Sequence, residues 1–312
     1  MTDLALLEAH DLPVSGGHVV HVDVFGSAAG RAALVLHGGP GSGQSPMLRS
    51  GFDGRDWRVV CIDQRGCGAS TPRGSVEANT TDDLISDTEQ VRTMLGIDDW
   101  LVVGGSWGAS LAIAYAAAHA RVVQGLLLRS TFGASRDHVA AFFDGGPFGG
   151  SIGDVLCELR DSMLGDDDAR RRETALAWWR WERNRQGMQA PPQPPTADAF
   201  AYVLDRYRVQ SHYLFHDCWL GAPPLAQRCA SLPRVPVLMI HGRADLVCPI
   251  EGARQLAAHI PQAHWREFEG VGHDPTAPAM QAAMREALAA FARDGRFDAA
   301  FTGTAVGRAA AS

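Results

Sequence analysis

The chain has 312 residues, 46% of them hydrophobic, and a formal net charge of −7. That size suits one large α/β core with an insertion. The acidic balance, with no long Lys/Arg block, argues against nucleic acid or an anionic membrane as partner.

In chain order, His18 to Phe25 alternates and reads as a first strand. Ala32 to Leu36 is a continuous apolar run ending in His37-Gly38-Gly39-Pro40-Gly41. Trp57 to Ile62 is another buried strand, ending in Asp63-Gln64-Arg65-Gly66. Thr80 to Leu95 has helical periodicity behind a capping-type threonine. Leu101 to Val103 is a strand, Leu111 to Ala118 favours helix, and Gly125 to Leu128 is the next strand. Strands alternating with helices predict a mostly parallel sheet with helices on both faces.

From about Gly133 the character changes. Gly145 to Gly153 is glycine-rich, and Ala169 to Arg185 reads as a charged, Trp-rich amphipathic helix. Ala190 to Pro195 is a proline-rich break that no helix crosses. Ala199 to Trp219 is helical again. Residues 133–231 are therefore expected to form a helical cap inserted into a core made of 1–132 and 232–312. The α/β pattern resumes with a strand at Val235 to Ile240, which ends in His241-Gly242-Arg243-Ala244-Asp245. A helix from about Glu251 to Ile260 follows, then a strand at Trp265 to Phe268, running into Gly270-Val271-Gly272-His273. A closing helix spans Ala279 to Ala292, and the tail from Asp294 to Ser312 is rich in small residues.

Met1 to Val24 has neither a basic n-region nor a long apolar stretch, and no apolar run approaches membrane-spanning length. A soluble, cytoplasmic protein is expected. The six cysteines form no C-x-x-C pair and no zinc-type cluster, so free, mostly buried thiols are expected. No internal repeat is visible.

Gly104-Gly105-Ser106-Trp107-Gly108 joins a strand to a helix with a serine at the apex. Gly104-x-Ser106-x-Gly108 matches the nucleophile elbow of α/β-hydrolases. Taken alone, the pentapeptide also fits an ordinary turn with a capping serine. The rest of the chain supplies two further groups at strand ends, Asp245 and His273, in the order serine, acid, histidine. In open α/β sheets that edge is where sites form. Serine alone is a poor nucleophile. His273 would accept its proton, and Asp245 would hold the imidazole tautomer. Asp245 also fits a turn-forming role, and His273 a surface loop. Asp274 is a weaker candidate acid, and Asp63 reads as structural, pairing with Arg65.

Acyl chemistry also needs an oxyanion hole. The backbone N–H of Trp107 is one candidate donor. Gly39 in the His37–Gly41 loop is the other, with Gly38 next. A phosphate-binding loop is the competing reading, but the loop lacks the G-x-G-x-x-G and G-K-[ST] patterns.

Several motifs together resemble the proline iminopeptidase (prolyl aminopeptidase) family of α/β-hydrolases. They are HGGPGSG at His37 to Gly43, DQRGCGAS at Asp63 to Ser70, GGSWGASLAIAYA at Gly104 to Ala116, LLLRSTF at Leu126 to Phe132, HGRADLVCP at His241 to Pro249 and GVGH at Gly270 to His273. The resemblance spans nearly the whole chain. It implies an α/β-hydrolase fold with a helical cap, no metal or other cofactor, and a small peptide or amide substrate. It also implies that a glutamate on a Trp-Glu step of the cap binds the substrate's free α-amine, which Trp181-Glu182 matches. A surface salt bridge to Arg183 or Arg185 is the other reading of Glu182. The family's segment Arg-Ile-Glu-Asn-His-Tyr-Phe appears here as Arg208-Val209-Gln210-Ser211-His212-Tyr213-Leu214. A second glutamate has become Gln210 and an aromatic wall has become Leu214. Phe132 and Cys248 remain as pocket residues.

The leading expectation is a serine hydrolase releasing N-terminal proline or a similar residue from small peptides or amides. The alternative is an amidase or esterase for another small, possibly biosynthetic, substrate. A non-catalytic ligand-binding protein on the same fold is a third.

Overall fold

The computed structural model of the chain describes residues 4–188 and 195–297. Its centre is a run of strands whose residues are apolar on both faces. β1 (Leu6–Pro13), β2 (Val19–Gly26), β3 (Arg31–Leu36), β4 (Trp57–Ile62), β5 (Trp100–Gly105), β6 (Val123–Arg129), β7 (Val237–Gly242) and β8 (Ala263–Phe268) form one sheet in the order β1-β2-β4-β3-β5-β6-β7-β8. The pairs β1/β2 and β2/β4 are antiparallel and the others parallel. β5 and β7 are buried at every position. Along β5, Trp100 and Val102 enter one core while Leu101 and Val103 enter the other. That alternation follows from the two-residue period of a strand covered on both sides.

Helices supply the covers. α1 (Thr81–Met94) starts with the expected cap, in which Thr80 and Asp83 bond each other's backbone N–H. This is a capping box. α2 (Trp107–Ala118) is buried from Trp107 through Ala116. An α-helix apolar on all sides must lie inside the fold. α8 (Ile250–Ala257) packs on the same core as α2, and α9 (Pro278–Asp294) covers the other face through Met280, Ala287 and Phe291.

Between β6 and β7 run α3 (Arg136–Phe143), α4 (Ile152–Leu164), α5 (Asp168–Arg185), α6 (Ala197–Phe215) and α7 (Leu225–Ala230). α4 packs on α5 and α6, while α7 packs on α2 and α8. α3 ends before the glycine-rich stretch Gly145 to Gly153, and α4 begins within it. Near the end of that stretch Ser151 caps α4 together with Asp154. α6 ends at Phe215, earlier than the expected Trp219, because Asp217, Cys218 and Trp219 take left-handed backbone angles. Most of the Ala190 to Pro195 break and of the Asp294 to Ser312 tail lies outside the described residues. No helix among the described residues is long and apolar enough to cross a membrane.

One buried ion pair ties the loop after β4 to α1. Arg65 donates to both carboxylate oxygens of Asp87, at 2.6 and 2.7 Å, and its side chain is fully buried. Removing one partner of such a pair typically costs about 3–5 kcal/mol, because the other charge stays buried. Asp87→Ala is expected to lose stability of that order in equilibrium denaturant unfolding. A loss under about 1 kcal/mol, the level of an exposed pair, would show that Arg65 is satisfied by its other contacts.

Candidate active site

Ser106 stands between β5 and α2 with φ 56° and ψ −124°, a region that L-residues rarely adopt. The turn is tight enough to exclude side chains around it. A Cβ on Gly104 would lie 2.3 Å from the Gly108 carbonyl oxygen, and one on Gly108 would lie 2.2 Å from that of Leu36. The serine's backbone is pinned on both sides. Its N–H donates to the Arg129 carbonyl at 2.9 Å, and its own carbonyl accepts from Phe132 N–H at 3.3 Å. The side-chain Oγ lies 3.6 Å from Cys248 Sγ. Burial pushes the Cys248 thiol well above its ordinary pKa, so it is a neutral neighbour.

Asp245 and His273 come together from the loops after β7 and β8. His273 Nδ1 donates to Asp245 Oδ2 at 2.8 Å. Asp245 Oδ1 accepts the backbone N–H groups of Val247 and Cys248 at 2.9 and 2.8 Å. Burial works to raise the Asp245 pKa, but His273 and these donors outweigh it and hold the carboxyl below its ordinary value. Arg129 donates from Nη1 to the His273 carbonyl at 3.2 Å, which fixes the histidine loop to β6. With Nδ1 committed to Asp245, Nε2 is the ring nitrogen left to exchange a proton. Asp274 is used differently: its carboxylate accepts from Thr276 N–H and Oγ1 within its own loop.

The His37–Gly41 loop lies beside the serine. A Cβ on Gly38 would be 3.3 Å from Ser106 Cβ. Trp107 is the first residue of α2, so its N–H has no intrahelical acceptor. Gln64 joins these two parts. Its Nε2 donates to the His37 carbonyl at 3.0 Å, its Oε1 accepts the Trp107 indole N–H at 2.9 Å, and its backbone N–H donates to His37 Nε2 at 3.0 Å. His37 Nδ1 donates to the Gly38 carbonyl at 2.9 Å. Burial lowers the His37 pKa, which keeps Nε2 free to accept. Neighbouring Asp63 is not the partner of Arg65. It is buried and accepts from Gln44 N–H at 2.6 Å and Ala69 N–H at 2.8 Å, so it clamps the two loops through their backbones.

A cavity of about 470 Å³ opens above Ser106. Gly38, Gly39, Phe132, Glu182, Gln210, Leu214, Cys248 and His273 all border it, so the pocket residues expected from sequence share one space. Glu182 is no surface residue. Thr174, Trp178 and Glu182 lie four residues apart on the buried face of α5. Its carboxylate binds Arg206 of α6 and accepts the Tyr207 hydroxyl at 2.7 Å, while Trp178 stacks on the Tyr207 ring. Arg185 turns away, donating to backbone carbonyls of Ala141 and Asp144. Gln64, Arg129 and Arg206 are site residues that sequence reasoning did not single out. The first two follow recognisable strand-end motifs, whereas Arg206 carries no signal beyond its helical spacing from Gln210.

Comparison with known proteins agrees with this fold. Residues 33–276 match the family described as alpha/beta hydrolase fold. The chain is 34% identical to the proline iminopeptidase of Neisseria gonorrhoeae, over 89% of this chain and 94% of that one. It is 31% identical to the proline iminopeptidase of Arabidopsis thaliana, over 88% and 77% respectively. Among solved structures, the proline iminopeptidase of Mycobacterium smegmatis superposes with a TM-score of 0.61 at 22% identity, covering 92% of this chain and 98% of that one, which speaks to fold. The chain belongs to the proline iminopeptidase family of α/β-hydrolases.

Two outcomes follow from these contacts. Gln64→Leu keeps the volume but breaks both side-chain bonds. It should lower kcat by up to about 10²-fold, the scale of losing one oxyanion donor, with a much smaller change in KM. A fall confined to KM would argue against a positioning role. Asp245 titrates below its unfolded value, so its contribution to stability is complete above pH ~4 and is lost as pH falls through the folded value. The gap in Tm between the wild type and Asp245→Asn should therefore be wider at pH ~6 than at pH ~3. An equal gap at both would show that the charge on Asp245 contributes nothing.

Proposed function

We propose that this chain is a serine hydrolase that cleaves the amide bond after a small N-terminal residue such as proline, through an acyl-enzyme. The observation that carries the reading is that His273, held by Asp245 behind it, borders the same cavity as a strained, apical Ser106. Ser106 Oγ attacks the scissile carbonyl while His273 Nε2 takes its proton. The carbonyl oxygen becomes an oxyanion between Trp107 N–H and Gly39 N–H, with Gly38 as the alternative donor. His273 then gives the proton to the departing amine. Water, deprotonated by His273, attacks the acyl-serine and releases the acid. Asp245 keeps the imidazole oriented and stabilises its cationic form throughout.

In this reading residues 133–231 form a cap over a core of 1–132 and 232–312, and α3, α5 and α6 wall the substrate cavity. Phe132, Leu214 and Cys248 supply an apolar wall for a proline-sized ring. The six free thiols fit a reducing, cytoplasmic setting. A second reading, an amidase or esterase for another small substrate, is favoured by one contact. Glu182, the residue expected to bind a free amine, already has Arg206 as its cation.

Ser106→Ala should remove turnover of proline p-nitroanilide and of p-nitrophenyl acetate while leaving the thermal unfolding profile unchanged. Mass spectrometry should find a fluorophosphonate adduct on Ser106 of the wild type. Full activity in the variant, or labelling elsewhere, would reject the nucleophile.

A further inference from the structure

His273 gives its proton to the departing amine, so the departing part of the substrate faces the loop that carries His273. That loop continues as Asp274, Pro275 and Thr276, which border the cavity above Ser106. Met47 and Leu48, from the loop after β3, border it as well. Met47 and Thr276 are exposed, and both also border a second, open cavity of about 590 Å³. The two spaces meet at these side chains. The other end of the catalytic cavity is walled by Phe132 and, from α5 and α6, by Glu182 and Leu214.

The second cavity has a fixed floor and one sign of charge. Gln281 of α9 joins its banks, because its Nε2 donates to Ser50 Oγ and to the Pro275 carbonyl, each at 3.0 Å. Pro46, Phe52 and Pro278 supply apolar surface. Among the described residues, the charged groups on its wall are Arg49 and Arg285, with no carboxylate. Arg49 is buried, with its guanidinium over the Phe25 ring. Arg285 is exposed, one turn after Gln281, and its Nη1 donates to Gln281 Oε1 at 3.4 Å. No carboxylate among the described residues pairs with it. The 3.4 and 3.0 Å contacts of the one Gln281 amide put Arg285 Nη1 within about 9 Å of the Pro275 carbonyl, the span of two to three extended residues.

An exposed guanidinium with no anion, at the end of a path that starts beside the scissile bond, matches a carboxylate in charge and in donor geometry. A peptide carries that group at its C-terminus. Nearer the scissile bond the sign reverses. Asp274 follows His273 on the cavity wall, so a carboxylate on the first departing residue meets a like charge there.

We infer that the second cavity is the site for the departing peptide, entered between Met47 and Thr276, and that Arg285 receives the terminal carboxylate of a departing dipeptide or tripeptide. The preferred substrates are then peptides of three or four residues. This inference rests on the serine-hydrolase reading and extends it to the leaving side of the same site.

The test follows proline release from Pro-Ala-Ala and from Pro-Ala-Ala-amide by the full chain, near neutral pH and at low ionic strength. The wild type should favour the free acid in kcat/KM by about threefold to fivefold, the scale of one exposed ion pair. The advantage should lie in KM and shrink in high salt. Arg285→Gln should equalise the two peptides, and Arg285→Glu should reverse the preference. A ratio measured on one preparation cancels any difference in folded protein. Pro-Ala should gain nothing over Pro-Ala-amide, because its carboxylate falls at Asp274. Equal rates for the two tripeptides in the wild type, or an acid preference that survives in Arg285→Glu, overturn the inference. So does an acid preference of the same size with the dipeptides, which would place the recognised carboxylate beside the scissile bond. Ser106-dependent hydrolysis of proline p-nitroanilide, which has no carboxylate, separates the two failures. If it persists, only the leaving-side assignment is wrong. If it is absent, the aminopeptidase reading falls and the inference with it.

Discussion

The backbone of Ser106 is the constraint around which this fold is arranged. A non-glycine residue at φ 56° and ψ −124° costs on the order of 1–3 kcal/mol and persists only when its surroundings over-determine it. Here they do. β5 delivers the chain from a fully buried strand, and α2 carries it away as a helix buried from Trp107 through Ala116. Arg129 holds the serine N–H through its carbonyl, and its guanidinium fills the space that a side chain at position 105 would need. The same guanidinium reaches the His273 carbonyl. One residue at the end of β6 therefore sets the relative placement of the serine and histidine loops.

The His37–Gly41 loop beside Ser106 is held by a different device. Gln64 uses its amide and its backbone N–H to bind His37, and the amide oxygen takes the Trp107 indole. A carboxylate here could accept from Trp107 but could not donate to the His37 carbonyl. A leucine could do neither. The neutral amide is the side chain of this length that satisfies both, which accounts for glutamine at this buried position. Asp63 does the complementary task with charge, because its partners are two backbone donors.

Much of this was legible in the sequence, and the limits are physical. β3, β5 and β7, which end at the site, are largely apolar runs because the middle of a parallel sheet is buried on both faces, whereas β8 is an edge strand and only half-buried. β1 left no such trace. It is an edge strand with an exposed face, and Leu6 and Leu7 are open to solvent. Ser106, Asp245 and His273 could be read because each closes a strand in a recognisable order. Glu182 could have been placed inside from the spacing of Thr174, Trp178 and Glu182 alone, without knowing what it meets. Arg206 could not be read as its partner, because that contact joins two helices 24 positions apart in sequence. The same holds for Asp63 and Arg65. Adjacency suggested a pair, but the strand end sends their side chains to different partners.

The two halves of the site consequently respond differently to substitution. Below, each group has several partners, and the positions of the Ser106, His273 and His37–Gly41 loops depend on one another through Arg129 and Gln64. Altering one residue there disturbs the chemistry. Above, α6 places Arg206 and Gln210 one turn apart on the cavity wall, with Arg206 paired to Glu182 of α5. With Arg206 paired to Glu182 and an uncharged residue at 210, these groups sum to zero. Replacing either α6 residue changes the net charge presented to a substrate without touching the strands that hold Ser106. The cavity wall on α6 is therefore built separately from the strands and loops that hold Ser106, Asp245 and His273.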